Sequence, residues 1–197
     1  MGCDIHMRCE VLSRNNGTWE DADYYRKSRW ADREFEVVPV YDARNYDLFA
    51  ILANVRNDPK WDGRNLEYIS EPRGIPEDCN EAIKEAFELD RDCCHSFSYY
   101  TLRELMEYDK THHGVWENGM ISPEQAEALD KRGELPNQYC KYTNIEGYVQ
   151  RSWFREYQIL EPIITTLKSR MKEIMWIWDK DIEKNADNIR IVFWFDN

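Results

Sequence analysis

Asp4 and His6 stand two residues apart in the run Cys3-Asp4-Ile5-His6-Met7-Arg8-Cys9-Glu10-Val11. On an extended chain alternate residues leave the same face, so a carboxylate and an imidazole would project side by side. Such a pair can share a proton, hold a metal ion that generates hydroxide near neutral pH, or form a local ion pair with Arg8. His95 is the candidate third ligand, with Asp92 or Asp47 as a further carboxylate, because each stands near the mouth of an expected helix. A divalent metal is the cofactor this reading adds. His112-His113, followed by Gly114, reads instead as a solvated turn.

A second constellation is cationic. Arg44-Asn45 opens an expected helix, Arg56 closes it, Arg73-Gly74 lies in a long loop, and Arg190 stands on the C-terminal strand. Forked guanidinium groups and helix N-terminal amides match phosphate geometry, and Tyr46, Tyr99, Tyr100 and Trp194 offer rings on which a base can stack. The competing reading is that these arginines pair with structural carboxylates such as Asp47 or Asp196.

The six cysteines include no CxxC pair and no Cys/His ladder with structural-zinc spacing. Cys93-Cys94 cannot easily bridge without strain. As a nucleophile beside His95 either would need adjacent residues to align as nucleophile and base, which triad geometry seldom allows, so burial is the simpler reading. There is no P-loop and no dinucleotide fingerprint.

These side chains sit in a chain of 197 residues with a formal charge of −12, which repels phosphate backbones and anionic membranes and disfavours non-specific nucleic-acid binding. No apolar run approaches membrane-spanning length, and no secretory segment is evident, so free thiols and a cytoplasmic location are expected. Eight Trp and twelve Tyr supply large areas for a core, with some left to line a groove.

Strict alternation over residues 3–11 predicts a half-buried strand, Asn16-Gly17 a tight turn, and Thr18-Trp19-Glu20 the returning strand. Residues 35–41 are β-rich, but Pro39 confines them to an edge or a strand end. Asn45 caps an apolar helix over residues 46–55, and turn chemistry fills residues 57–78, a long ordered loop of the kind that often carries function. A short helix follows over 81–89. Thr101 and Glu104 form a capping box for a helix reaching 108, and Ser122-Pro123 with Gly133 bounds a polar helix. Residues 148–158 suit a strand, and Pro162 opens a helix with Ile163, Leu167, Met171 and Trp178 at helical spacing. The aromatic run Arg190-Ile191-Val192-Phe193-Trp194-Phe195-Asp196 must be paired to be stable, and is expected inside the sheet beside the N-terminal strand. The expected fold is a single α+β domain over residues 1–197, mainly antiparallel, with both terminal strands in the sheet and helices packed against it.

Taken together, the opening Met1-Gly2-Cys3-Asp4-Ile5-His6, the segment Arg44-Asn45-Tyr46-Asp47-Leu48-Phe49-Ala50-Ile51-Leu52-Ala53, the turn Pro72-Arg73-Gly74, the His95-Ser96 region and the ending Arg190 to Asn197 resemble a family of uncharacterised phage and bacterial proteins. The resemblance covers essentially the whole chain and implies a small soluble protein of phage or bacterial type, without an activity to carry over. The family pattern has a His-rich stretch before Thr101-Leu102, where this chain keeps His95 but has Phe97 and Cys93-Cys94 nearby.

The function expected from the residues is binding, and sequestration, of a small phosphorylated or nucleotide-like ligand by Arg44, Asn45, Tyr46, Arg56, Arg73, Tyr99, Arg190 and Trp194, as a phage-type protein acting on host nucleotide signalling. Two alternatives stay open. One is a metal-dependent hydrolase of a phosphorylated small molecule using Asp4, His6 and His95; the other is an acidic interaction module that binds a host protein.

Overall fold

The structure, a computed structural model, describes residues 2–30, 34–141, 144–156, 158–174 and 181–196. It is an α+β fold of helices and antiparallel strands that includes both terminal strands. The chain divides into two compact units, one formed by Met1–Thr111 with Ile159–Asn197 and the other by His112–Gln158.

In the first unit β1 (Asp4–Leu12) runs between β2 (Trp19–Asp21) and β8 (Ile189–Asp196), and β5 (Cys94–Thr101) completes a four-stranded antiparallel sheet in the order β2-β1-β8-β5. The C-terminal strand lies against the N-terminal one as its aromatic composition demands, with Ile5 opposite Phe195, Met7 opposite Phe193 and Cys9 opposite Ile191. Gly17, at φ 70°, takes the left-handed turn between β1 and β2. A separate ribbon pairs β3 (Tyr24–Lys27) with β4 (Phe35–Val38), and Pro39 falls just after β4, where no ladder donor is missed.

The two sheet faces have different covers. Cys3, Ile5, Met7, Cys9, Ile191, Phe193 and Phe195 are buried on one side. There α1 (Tyr46–Ala53) stacks Phe49 edge-on against Phe195 at 5.0 Å, and Tyr100 donates to the Leu52 carbonyl. Helices α3 (Leu102–Thr111) and α5 (Glu161–Ile174) also pack on β8. Trp178, assigned to the α5 apolar face by its spacing, lies outside the described residues. On the opposite side α2 (Glu81–Asp90) inserts Ile83 against Val192 and Trp194. Because β8 is covered on both faces, every residue from Ile189 to Phe195 is buried and residues 191–195 read as continuous apolar sequence, not as alternation.

Two buried ion clusters fix these layers. Glu10, fully buried, accepts from Arg190 Nε at 2.6 Å and from both the backbone and side-chain nitrogens of Asn80, the α2 cap, so it ties that helix start to the sheet. Arg170 of α5 reaches the carbonyls of Ala22 and Val38 and the carboxylate of Asp23, which Arg8 also binds.

The second unit pairs β6 (Gly114–Ile121) with β7 (Val149–Glu156). Beside them, α4 (Pro123–Arg132) starts on the Ser122 cap and stops at Gly133, at φ 68°; Ile121, Ala126 and Trp153 form its core. His112 and His113 lie in the connection between α3 and β6.

Candidate functional site

The N-cap of α1 places Tyr46 at the helix entrance. Asn45 Oδ1 accepts from the amides of Asp47 and Leu48, a bond set that commits the Asn45 side chain to the helix. Past the other end of α1, Asn54 and Arg56 both adopt left-handed φ, at 56° and 57°. That conformation is uncommon outside glycine, and here it doubles the chain back so that the Arg56 guanidinium carbon lies 6.0 Å from the Tyr46 ring centre. Arg64 comes from the long loop and lies 5.6 Å from the same ring, bonded to Asp47 at 2.5 Å. The loop is held by reciprocal bonds between the Asn57 side chain and the Leu66 backbone, and by Ile69 donating to the Ile51 carbonyl of α1. Arg44 makes a bidentate pair with Asp4 at 2.8 and 2.6 Å, which holds the Asp4 carboxyl below the usual carboxylate range. Burial pushes the adjacent Cys3 thiol up, and the charges of Arg56 and Arg44 oppose that shift.

The other four proposed ligand residues stand elsewhere. Arg190 is held between Glu10 and Asp78, with its guanidinium 3.8 Å from the Trp19 ring centre and 5.5 Å from that of Tyr99. Arg73 also lies over Tyr99, at 5.5 Å, and pairs with Glu104 at 2.7 Å. Trp194 is buried beneath α2 and donates its indole N–H to Asp90 at 2.9 Å. Thus Arg44, Asn45, Tyr46 and Arg56 come together at α1, while Tyr99, Arg190 and Trp194 belong to the α2 side of the sheet and Arg73 sits over both the Tyr99 and Tyr100 rings of β5.

Asp4, His6 and His95 do not converge. A bulge between His95 and Ser98, with Ser96 at φ 55°, shifts the β5 register by one residue. His95 therefore stacks on Phe195 at 6.1 Å on the α1 side, whereas His6 stacks on Trp194 at 6.1 Å on the α2 side. His6 Nε2 lies 3.1 Å from Asp196 Oδ2. The remaining proposed carboxylates do not complete a set, since Asp47 bonds Arg64 and Asp92 is an exposed turn residue. The pairing of Cys93 or Cys94 with His95 also fails, because the His95 Nδ1 faces Ser96 Oγ at 2.9 Å and burial pushes the Cys94 thiol up to about 12, far from a reactive thiolate.

Beside His6 lies a cleft of about 360 Å³ lined by His6, Arg8, Asp42, Asp90 and Trp194 among others. Its one arginine is spent on the buried Asp23, so its field is that of its carboxylates and it suits a cation better than a phosphate. A cavity of about 590 Å³ in the second unit, between Ser122 and Tyr148, is lined by none of the candidate ligand or metal residues.

Arg64 escaped the sequence reading. Its signal was the long loop itself, where Asp62-Gly63 turns the chain, Gly63 at φ 67°, just before the arginine. No family model, curated protein or solved structure matches this chain.

Proposed function

We propose that the chain binds a small phosphorylated or nucleotide-like ligand at the α1 entrance, with Arg44, Arg56 and Arg64 meeting its phosphates and Tyr46 meeting its base or sugar. The observation that carries this reading is the meeting of the Arg56 and Arg64 guanidiniums, from two separate segments, at the partly exposed Tyr46 ring, with Arg44 just before the same helix start. Exposure separates Arg44 from Arg190. The Arg44 and Asp4 side chains are 49% and 53% exposed, and an ion pair this wet contributes little, so a dianionic phosphate can take the place of Asp4 at small cost. Arg190, 6% exposed against a fully buried Glu10, cannot be released without stranding a charge. A phage-type role in sequestering a host signalling nucleotide is the biological form of this proposal.

The test is a thermal-shift panel of nucleoside mono-, di- and polyphosphates followed by recovery of the ligand. A saturable rise in melting temperature with the ligand returned unchanged supports binding and sequestration. Recovery of a cleaved product would show a hydrolase instead, and a flat panel would remove the proposal.

A further inference from the structure

We propose that Asp90, Cys93 and Cys94 form a binding site for one zinc ion, with both thiolates and one carboxylate oxygen as ligands and a solvent molecule in the fourth position. One ligand atom from each of the three residues lies within 4.8 Å of the others. The sulfurs of Cys93 and Cys94 are 3.8 Å apart. Two thiolates at about 2.3 Å from zinc, at a tetrahedral angle of about 109°, stand about 3.8 Å apart, so the pair already has the spacing the ion requires.

The scaffold that sets this spacing is local. Asp90 ends α2, Cys93 N and Sγ both donate to its carbonyl at 3.0 and 3.3 Å, and Cys94 begins β5. The tight turn between helix and strand thus brings residue 90 back over the vicinal pair. The Asp90 carboxylate is aimed by the Trp194 indole N–H at its Oδ2, and Trp194 is itself locked in the core beneath α2. A ligating carboxylate steadied by a buried donor is the usual outer support of a metal site. On binding, each thiol gives its proton to solvent and the two thiolates with the carboxylate offset the ion's charge. Two sulfurs among three donors favour zinc over magnesium or calcium, which take oxygen.

The experiment uses the full chain, reduced with a thiol-free reductant and freed of metal, and titrates it with Co²⁺ as a spectroscopic probe and then Zn²⁺. One equivalent of Co²⁺ should give thiolate-to-cobalt charge-transfer absorption with tetrahedral ligand-field bands, and Zn²⁺ should displace it. Cys93→Ser, at an exposed position that folding tolerates, should abolish the band, and Asp90→Asn should weaken zinc binding roughly ten-fold or more. Cys140→Ser should leave the signal intact. Absence of a charge-transfer band, or a band that survives in Cys93→Ser and disappears in Cys140→Ser, would overturn the site.

Discussion

The same residue type plays opposite parts in this molecule, and burial decides which. Arg190 and Glu10 are a pair taken out of water, where removing one partner strands the other. Arg190→Met is therefore expected to cost about 3–5 kcal/mol in denaturant unfolding, because Glu10, already pushed up by burial and held down by Asn80 and Arg190, loses its main counter-charge. Arg44→Ala should leave the unfolding midpoint unchanged within error. It should act instead on titration. The Asp4 carboxyl is depressed chiefly by its hydrogen bonds from Arg44, so the pair's contribution is fully present above the ordinary aspartate value of about 3.9 and is lost as pH falls through the lower folded value. A carboxyl NMR titration should place the Asp4 midpoint below that ordinary value in the native chain and return it there in Arg44→Ala. At this scale the sequence was legible in part. The alternation of β1 correctly put Asp4 and His6 on one face, and the competing pairing of arginines with carboxylates describes Arg190, Arg73 and Arg44, though their partners are Glu10 with Asp78, Glu104 and Asp4 and not Asp47 or Asp196. Spacing could not reveal the Asp90, Cys93 and Cys94 cluster, because two of its ligands are adjacent and the third is an aspartate, a pattern outside the Cys/His ladders that sequence reading seeks.

Among the elements, strong local chemistry was readable and irregular backbone was not. Caps at Asn45, Ser122 and Gly133 and the reciprocal bonds of Thr101 and Glu104 sit where their residue types direct. By contrast, β5 went unread, since Cys94-His95-Ser96-Phe97-Ser98 has no clean period once the bulge inserts an extra residue. That single residue moves His95 to the far face and dissolves the three-ligand set with Asp4 and His6. The strand β3 was missed for a related reason: all four of its residues are exposed, so no buried face imprints alternation on it. The capped helix α1 carries the candidate site, so its stability and the site are coupled. Asn45→Ala should lower unfolding stability by about 1 kcal/mol through loss of the bonds to the Asp47 and Leu48 amides. Because the change also loosens the first turn that bears Tyr46, ligand affinity measured by calorimetry should fall with it.

The whole molecule presents a formal charge of −12, yet it sets Arg56 and Arg64 beside the Tyr46 ring and lines the cleft beside His6 with carboxylates. Among the described residues no helix is long and apolar enough to cross a membrane. A net negative field opposes nucleic-acid backbones at long range, so the small-anion binding proposed above has to rest on the local guanidiniums of Arg44, Arg56 and Arg64. The pairing of the two terminal strands makes the unit that holds this patch depend on both ends of the chain, and the sequence showed this through the aromatic run that had to be covered. The most direct test of ligand binding at α1 is an amide NMR titration of the full chain with the nucleotide that gives the greatest thermal shift. Binding there predicts saturable shifts clustered at Asp4, Arg44, Tyr46, Arg56 and Arg64, absent in Arg56→Ala. Shifts centred instead on Arg73, Tyr99 and Trp194, or no saturable shifts at all, would contradict it.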